Sequence, residues 1–162
     1  MKDLIAVCPG SFDPVTKGHL DIITRSSKMF NRVIVVVMTN ASKANSTSFS
    51  IEERMDMIKR SVTDLPNVEV DHYEGLLADY AAEKKASAIV KGLRAVTDFE
   101  YEFQMALTNK KLNPEVETVF LTTSAENMYL SSSMVKQIAS MGGDISDFVP
   151  KAIHSDILKR LK

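Results

Sequence analysis

The feature that most constrains this chain is the alternation of short, β-branched apolar runs with longer stretches of helical period. Five runs read as strands: Leu4 to Cys8, Arg32 to Met38, Val68 to His72, Ala88 to Lys91 and Thr118 to Thr122. Helical spacing of apolar residues covers about Lys17 to Phe30, Ile51 to Val62, Leu76 to Lys85, Asp98 to Leu112 and Ser132 to Met141, with a last helix after Pro150. Strands joined through helices run parallel, and a parallel sheet is covered on both faces. The expectation is an α/β fold: a single doubly wound domain over residues 1–162 with a five-stranded parallel sheet of Rossmann-like type. The second run is apolar almost throughout, which places it in the middle of the sheet. Ser50 followed by Glu53 is a capping box, each side chain satisfying a backbone donor at the start of a helix.

Composition narrows the function. With 162 residues, 44% of them hydrophobic and 25% charged, the chain can bury one core and is neither disordered nor fibrous. Lys and Arg number 20 against 21 Asp and Glu, a formal charge of -1. No global field draws in nucleic acid or anionic lipid, so any anion site is a local cluster. Val33 to Met38 is far shorter than the roughly 20 residues of a membrane helix, and Leu4 to Cys8 is too short for a signal-peptide core. The single cysteine, Cys8, lies in an apolar run and reads as a buried, inert thiol, which fits a reducing cytoplasm.

Three segments carry the candidate chemistry. Pro9-Gly10-Ser11-Phe12-Asp13-Pro14-Val15-Thr16-Lys17-Gly18-His19 joins the first strand to the first helix, where a glycine turn entering a helix presents N–H groups to an anion. No Walker A loop and no G-x-G-x-x-G occurs. His19 falls in the first helical turn, placed to donate to a phosphoryl oxygen; taken alone, such a histidine is more often satisfied by a neighbouring loop. Leu130-Ser131-Ser132-Ser133-Met134-Val135-Lys136 follows the last strand, and its hydroxyls can cap the next helix or, helped by Lys136, hold phosphate. Val90-Lys91-Gly92-Leu93-Arg94 sets a point charge and a planar fork around a glycine. Beyond it, Phe99, Phe103, Ala106 and Leu107 form a stripe that reads as core, while Glu102 and Asn109, with Tyr101 and Met105, share another face turned to the site or to solvent. The long polar stretch Thr39 to Ser50 is a candidate lid with Lys43 as its cation. His72 and His154 have no partners at metal or triad spacing, and neither H-E-x-x-H nor G-x-S-x-G occurs.

The wording of these turns is familiar. Thr16-x-Gly18-His19 resembles the [HT]-x-G-H signature of the nucleotidyltransferase superfamily, and Ser131-Ser132-Ser133 with Lys136 is similar to its second, helix-opening signature. Pro9 to Pro14, Lys91-Gly92-Leu93-Arg94-Ala95-Val96 and Asp98-Phe99-Glu100-Tyr101-Glu102 look like the bacterial phosphopantetheine adenylyltransferase family, over nearly the whole chain. That resemblance implies reversible transfer of AMP from ATP to 4′-phosphopantetheine, giving dephospho-coenzyme A and pyrophosphate. It also implies magnesium, a homohexamer and feedback by coenzyme A. Carried over by position, His19 and Lys43 are catalytic, and Ser11, Lys43, Leu77 and Lys91 take phosphopantetheine. ATP falls to Ser11, Phe12, His19, Gly92, Leu93, Arg94, Glu102, Asn127, Met128, Tyr129, Leu130, Ser131, Ser132 and Ser133. The chain departs from the family in carrying Lys91 where arginine is usual, Asn127 where an aromatic is frequent, and Ser11 for a frequent threonine. Other readings of such a domain are a cytidylyltransferase or nicotinamide-mononucleotide adenylyltransferase of the same superfamily, a nucleotide sensor without turnover, and a flavodoxin-like electron carrier.

Overall fold

A computed structural model describes the chain apart from residues 1, 40–45 and 95 and the side chains at 96 and 97. Lys43 therefore lies outside the described residues. The described strands are β1 (Ile5–Gly10), β2 (Arg32–Thr39), β3 (Val68–Glu74), β4 (Ala88–Leu93) and β5 (Glu117–Thr122). The helices are α1 (Lys17–Met29), α2 (Ile51–Ser61), α3 (Leu77–Glu83), α4 (Val96–Leu112), α5 (Ser132–Ser140) and α6 (His154–Leu161), with short 3-10 turns at Ala125–Asn127 and Lys151–Ile153. Every pairing is parallel and the strand order is β3-β2-β1-β4-β5. No helix among the described residues is long and apolar enough to cross a membrane.

Period-two alternation divides the core. Val33, Val35 and Val37 of β2 face one cluster, packed under α1, α2, α5 and α6, and Ile34 and Val36 face the other, under α3. The apolar run of β2 was expected at the centre of the sheet, but β1 holds that position and β2 lies between β1 and β3. Burial on both faces requires helices above and below and a strand on each side, and an off-centre strand meets both conditions. β1 also runs past the expected Cys8, with Pro9 and Gly10 paired to Val36 and Val37. Its turn therefore begins at Ser11. The Ser50–Glu53 capping box is present in both directions.

The expected core stripe of α4 is a second correction: Phe99, Phe103 and Leu107 are 45%, 49% and 58% exposed, and the two phenyl rings stack on each other 5.5 Å apart. The side turned to the protein carries Asn109, 7% exposed, together with part-buried Glu102 and Ala106. Helical spacing defines a stripe without saying what covers it.

The topology places the site. From β1 the chain crosses through α1 to β2, and from β4 it crosses through α4 to β5 on the other side of β1. Adjacent strands whose connections depart in opposite directions leave a crevice at their carboxyl ends, where ligands of open α/β sheets bind.

Candidate active site

The turn after β1 is built around a strained residue. Phe12 has φ 48°, a left-handed conformation that a bulky side chain adopts only when its surroundings enforce it. Its ring is 3% exposed and lies over Gly10, where a Cβ would sit 3.1 Å from ring carbons. What Phe12 can offer a ligand is therefore backbone. Exposed Ser11 stands beside it.

Thr16 caps α1, and its partner in the capping box is His19. The His19 N–H donates to Thr16 Oγ1 at 3.3 Å, and the Thr16 N–H donates to His19 Nδ1 at 3.0 Å. A ring nitrogen that accepts from an amide carries no proton, so the neutral imidazole bears its proton on Nε2. Burial first, then the charges of Arg94 and Lys91, lower the His19 pKa from 6.5 to about 4. At neutral pH the ring is thus a fixed Nε2–H donor facing a cationic cluster. The Phe12 ring meets it edge-on, 5.0 Å away. The first N–H of α1, that of Lys17, is taken by Phe148 O at 2.9 Å.

At the end of β4, a Cβ on Gly92 would come 3.0 Å from Ile22 Cγ1, so glycine there lets α1 close onto the strand. Arg94 donates to Leu130 O at 2.8 Å and pairs with Asp98 at 3.2 Å. Lys91 pairs with Glu102 at 3.3 Å. Together with Leu77, Tyr101, Met105 and Asn109, these two line a cleft of about 90 Å³. Leu77, at the start of α3, is packed against the smaller core cluster at the same time.

The third turn closes on the first. An ideal Cβ on Gly18 would sit 3.6 Å from Asn127 Cβ and 3.8 Å from Leu130 Cδ2. Ser131 caps α5, accepting from the Met134 N–H at 3.1 Å, and Ser132 Oγ donates to Pro14 O at 2.7 Å. Both hydroxyls are thus engaged structurally, while Ser133 stays exposed, as do Met128 and Tyr129. Leu130 is 4% exposed and lies in the core. The expected role of Lys136 on phosphate is not the contact seen, because its ammonium lies 2.9 Å from the Asp13 carboxylate.

The sequence assigns no role to two residues that bind the first turn. Asp13, 4% exposed, also accepts from the backbone N–H groups of Ser48 and Phe49. Arg54, equally buried, donates to Ser11 O at 2.8 Å and Ser50 O at 3.3 Å. The signal for Arg54 was in the sequence: it stands three and four residues before Met57 and Ile58, on the buried stripe of α2. Cys8 is buried, its thiol pushed up to about 11, chiefly by burial. A larger groove of about 430 Å³ between α2 and α6 is lined largely by side chains paired with each other, Arg160 with Glu53 and Arg60 with Asp56 and Asp156. It contains none of the glycine turns.

Residues 7–138 match the cytidylyltransferase-like family. The chain is 55% identical over 158 residues to the phosphopantetheine adenylyltransferase of Caldanaerobacter subterraneus subsp. tengcongensis, covering 98% of both. Its fold overlays on a putative nicotinate-nucleotide adenylyltransferase from Vibrio parahaemolyticus with a TM-score of 0.69 at 16% identity, covering 99% of this chain and 98% of that one. A bifunctional NMN adenylyltransferase/ADP ribose pyrophosphatase from Francisella tularensis, complexed with AMP and a manganese ion, overlays with a TM-score of 0.67 at 19% identity, covering 98% of this chain and 49% of that one.

The His19 geometry predicts a titration. In ligand-free protein, nitrogen NMR should show the Nε2-protonated tautomer and a midpoint near 4. Because the folded pKa lies below 6.5, the stability linked to this ring is complete above about pH 6.5 and is lost as pH falls toward 4. A midpoint near 6.5 would show a solvated ring and contradict this account.

Proposed function

The chain belongs to the phosphopantetheine adenylyltransferase family, within the cytidylyltransferase-like group, and from that premise we propose how its site works. The reaction is reversible transfer of the adenylyl group of ATP to 4′-phosphopantetheine, giving dephospho-coenzyme A and pyrophosphate, the penultimate step of coenzyme A synthesis. The observation that carries this reading is full-length identity of 55% to a relative of that name. The meeting of the three turns at one crevice, with Gly18 beside Asn127 and Leu130 and with Arg94 on Leu130 O, supports it.

The attacking group is a phosphate monoester with a second pKa of about 6, so it is largely a dianion at neutral pH and needs no protein base. Its oxygen forms a bond to the α-phosphorus as the bond from that phosphorus to the β-bridging oxygen breaks, and pyrophosphate leaves. His19 Nε2–H donates to an α-phosphate oxygen as charge develops, and Lys43 meets the same charge from the loop side. Gly92, Leu93, Arg94 and Glu102, with residues 127–133, hold ATP. Phe12 and Leu130 do so through backbone, since their side chains are buried. Ser11 stands between the substrates. Lys91 takes the phosphate of phosphopantetheine and Leu77 its apolar arm, and the cleft lined by both supports this pairing.

Among the described residues no group of three His, Cys, Asp or Glu could hold a metal ion. The magnesium ion that the family implies would be carried by the ATP phosphates and water, where it would neutralise charge. The remaining parts of the reading are a single domain over residues 1–162, a cytoplasmic location, no nucleic-acid or membrane partner, a homohexamer, and feedback by coenzyme A. The exposed aromatic stripe of α4 supports self-association.

Pyrophosphate release should require both ATP and 4′-phosphopantetheine with magnesium, and should fail with CTP as donor or nicotinamide mononucleotide as acceptor. Release with another pair would discard the substrate, and silence with every pair would favour a nucleotide sensor. His19→Ala should fold and bind ATP while turnover falls about a hundredfold or more. Turnover equal to wild type would remove His19 from the mechanism.

A further inference from the structure

We propose that Asp13 and Lys136 form a latch that positions the adenylyl-transfer site without touching either substrate. The proposal rests on the reaction assigned above. It makes Asp13 a positioning residue and reassigns Lys136 from phosphate ligand to partner of Asp13.

The Asp13 carboxylate lies at the meeting of three segments. Its Oδ1 accepts from the Phe49 N–H at 3.0 Å, and its Oδ2 accepts from the Ser48 N–H at 3.0 Å and from Lys136 Nζ at 2.9 Å. These donors belong to the segment entering α2 and to α5, while Asp13 itself sits in the turn that leads to His19. The side chain of Asp13 is 5% exposed and that of Lys136 26%, so the carboxylate is shielded from water and the charge-assisted bonds it accepts are strong.

Two further bonds grip the same turn from either end. Ser132 Oγ holds Pro14 O at 2.7 Å and Arg54 holds Ser11 O at 2.8 Å. The spacing between the His19 turn and the serine turn is therefore set by bonds among protein groups. Phosphoryl transfer depends on in-line placement, and a shift of about 1 Å in such a site can cost about a hundredfold in rate. A latch of this kind acts on turnover more than on affinity, whereas a phosphate-binding lysine acts on both.

The test compares wild type, Asp13→Asn, Lys136→Met, Lys136→Arg and the Asp13→Asn/Lys136→Met double variant by steady-state kinetics, thermal unfolding and amide exchange. Asp13→Asn and Lys136→Met should each lower kcat by about ten- to a hundredfold with KM for ATP unchanged. The double variant should be no worse than the poorer single one, because both break one interaction. Lys136→Arg should recover most of the turnover, and the Ser48 and Phe49 amides should exchange faster in Asp13→Asn. A raised KM for ATP in Lys136→Met, with or without a fall in kcat, or losses that multiply in the double variant, would show that Lys136 acts on phosphate independently and overturn the proposal. Should Asp13→Asn fail to fold, the Lys136 variants alone decide by the same kcat and KM split. Wild type inactive with ATP and phosphopantetheine would sink the reaction reading instead; the amide exchange would still test the latch.

Discussion

At the carboxyl edge of a parallel sheet the chain must turn from strand to helix within a few residues. Where two adjacent strands send their crossovers in opposite directions, the space between the turns cannot be filled by either helix. β1 and β4 are that pair. The glycine at the end of β1, the threonine-capped start of α1 and the glycine within β4 all follow from fitting backbone into this corner. Gly10 makes room for the Phe12 ring and Gly92 for Ile22. A crevice lined by turns offers backbone N–H groups, and near-neutral net charge leaves local residues to supply the rest.

Those local charges differ in the carboxylate that each cation is paired with. Lys91 and Arg94 are paired with Glu102 and Asp98, whose side chains are 18% and 34% exposed. Lys136 is paired with Asp13, whose carboxylate is almost sealed from water and held by two amides besides. The Lys91 and Lys136 side chains are themselves about equally exposed, at 28% and 26%, so the difference lies in the carboxylate. His19 is kept neutral by burial and by the charges of Arg94 and Lys91, with its tautomer fixed by the Thr16 amide. A neutral donor in a cationic setting stabilises developing negative charge and takes no proton from the nucleophile.

Most of this was legible in the sequence because it follows from short-range rules. Strand runs, helix periods and the Ser50 capping box are local signals, and each element appears within a few residues of its expected place. Convergence of the three turns was legible from chain order, since all lie at strand ends. What the sequence did not show depends on contacts distant in the chain. The Phe99 and Phe103 stripe has the spacing of a core face, yet no element among the described residues covers it. Asp13 lies inside the quoted motif, but its partners are 35, 36 and 123 residues away. Lys136 looked like a phosphate ligand for the same reason: its spacing from the serine run was visible and its bond to Asp13 was not. Lys43 lies outside the described residues.

The account requires direct in-line displacement at the α-phosphorus, with His19 as a donor and no side chain as nucleophile. The most direct test is the stereochemistry of transfer with ATP made chiral at the α-phosphorus by sulfur and oxygen isotopes. A single displacement predicts inversion of configuration in the dephospho-coenzyme A product. Retention would require a covalent adenylyl-enzyme intermediate and would contradict the assignment of His19 and of the whole crevice to positioning and charge stabilisation.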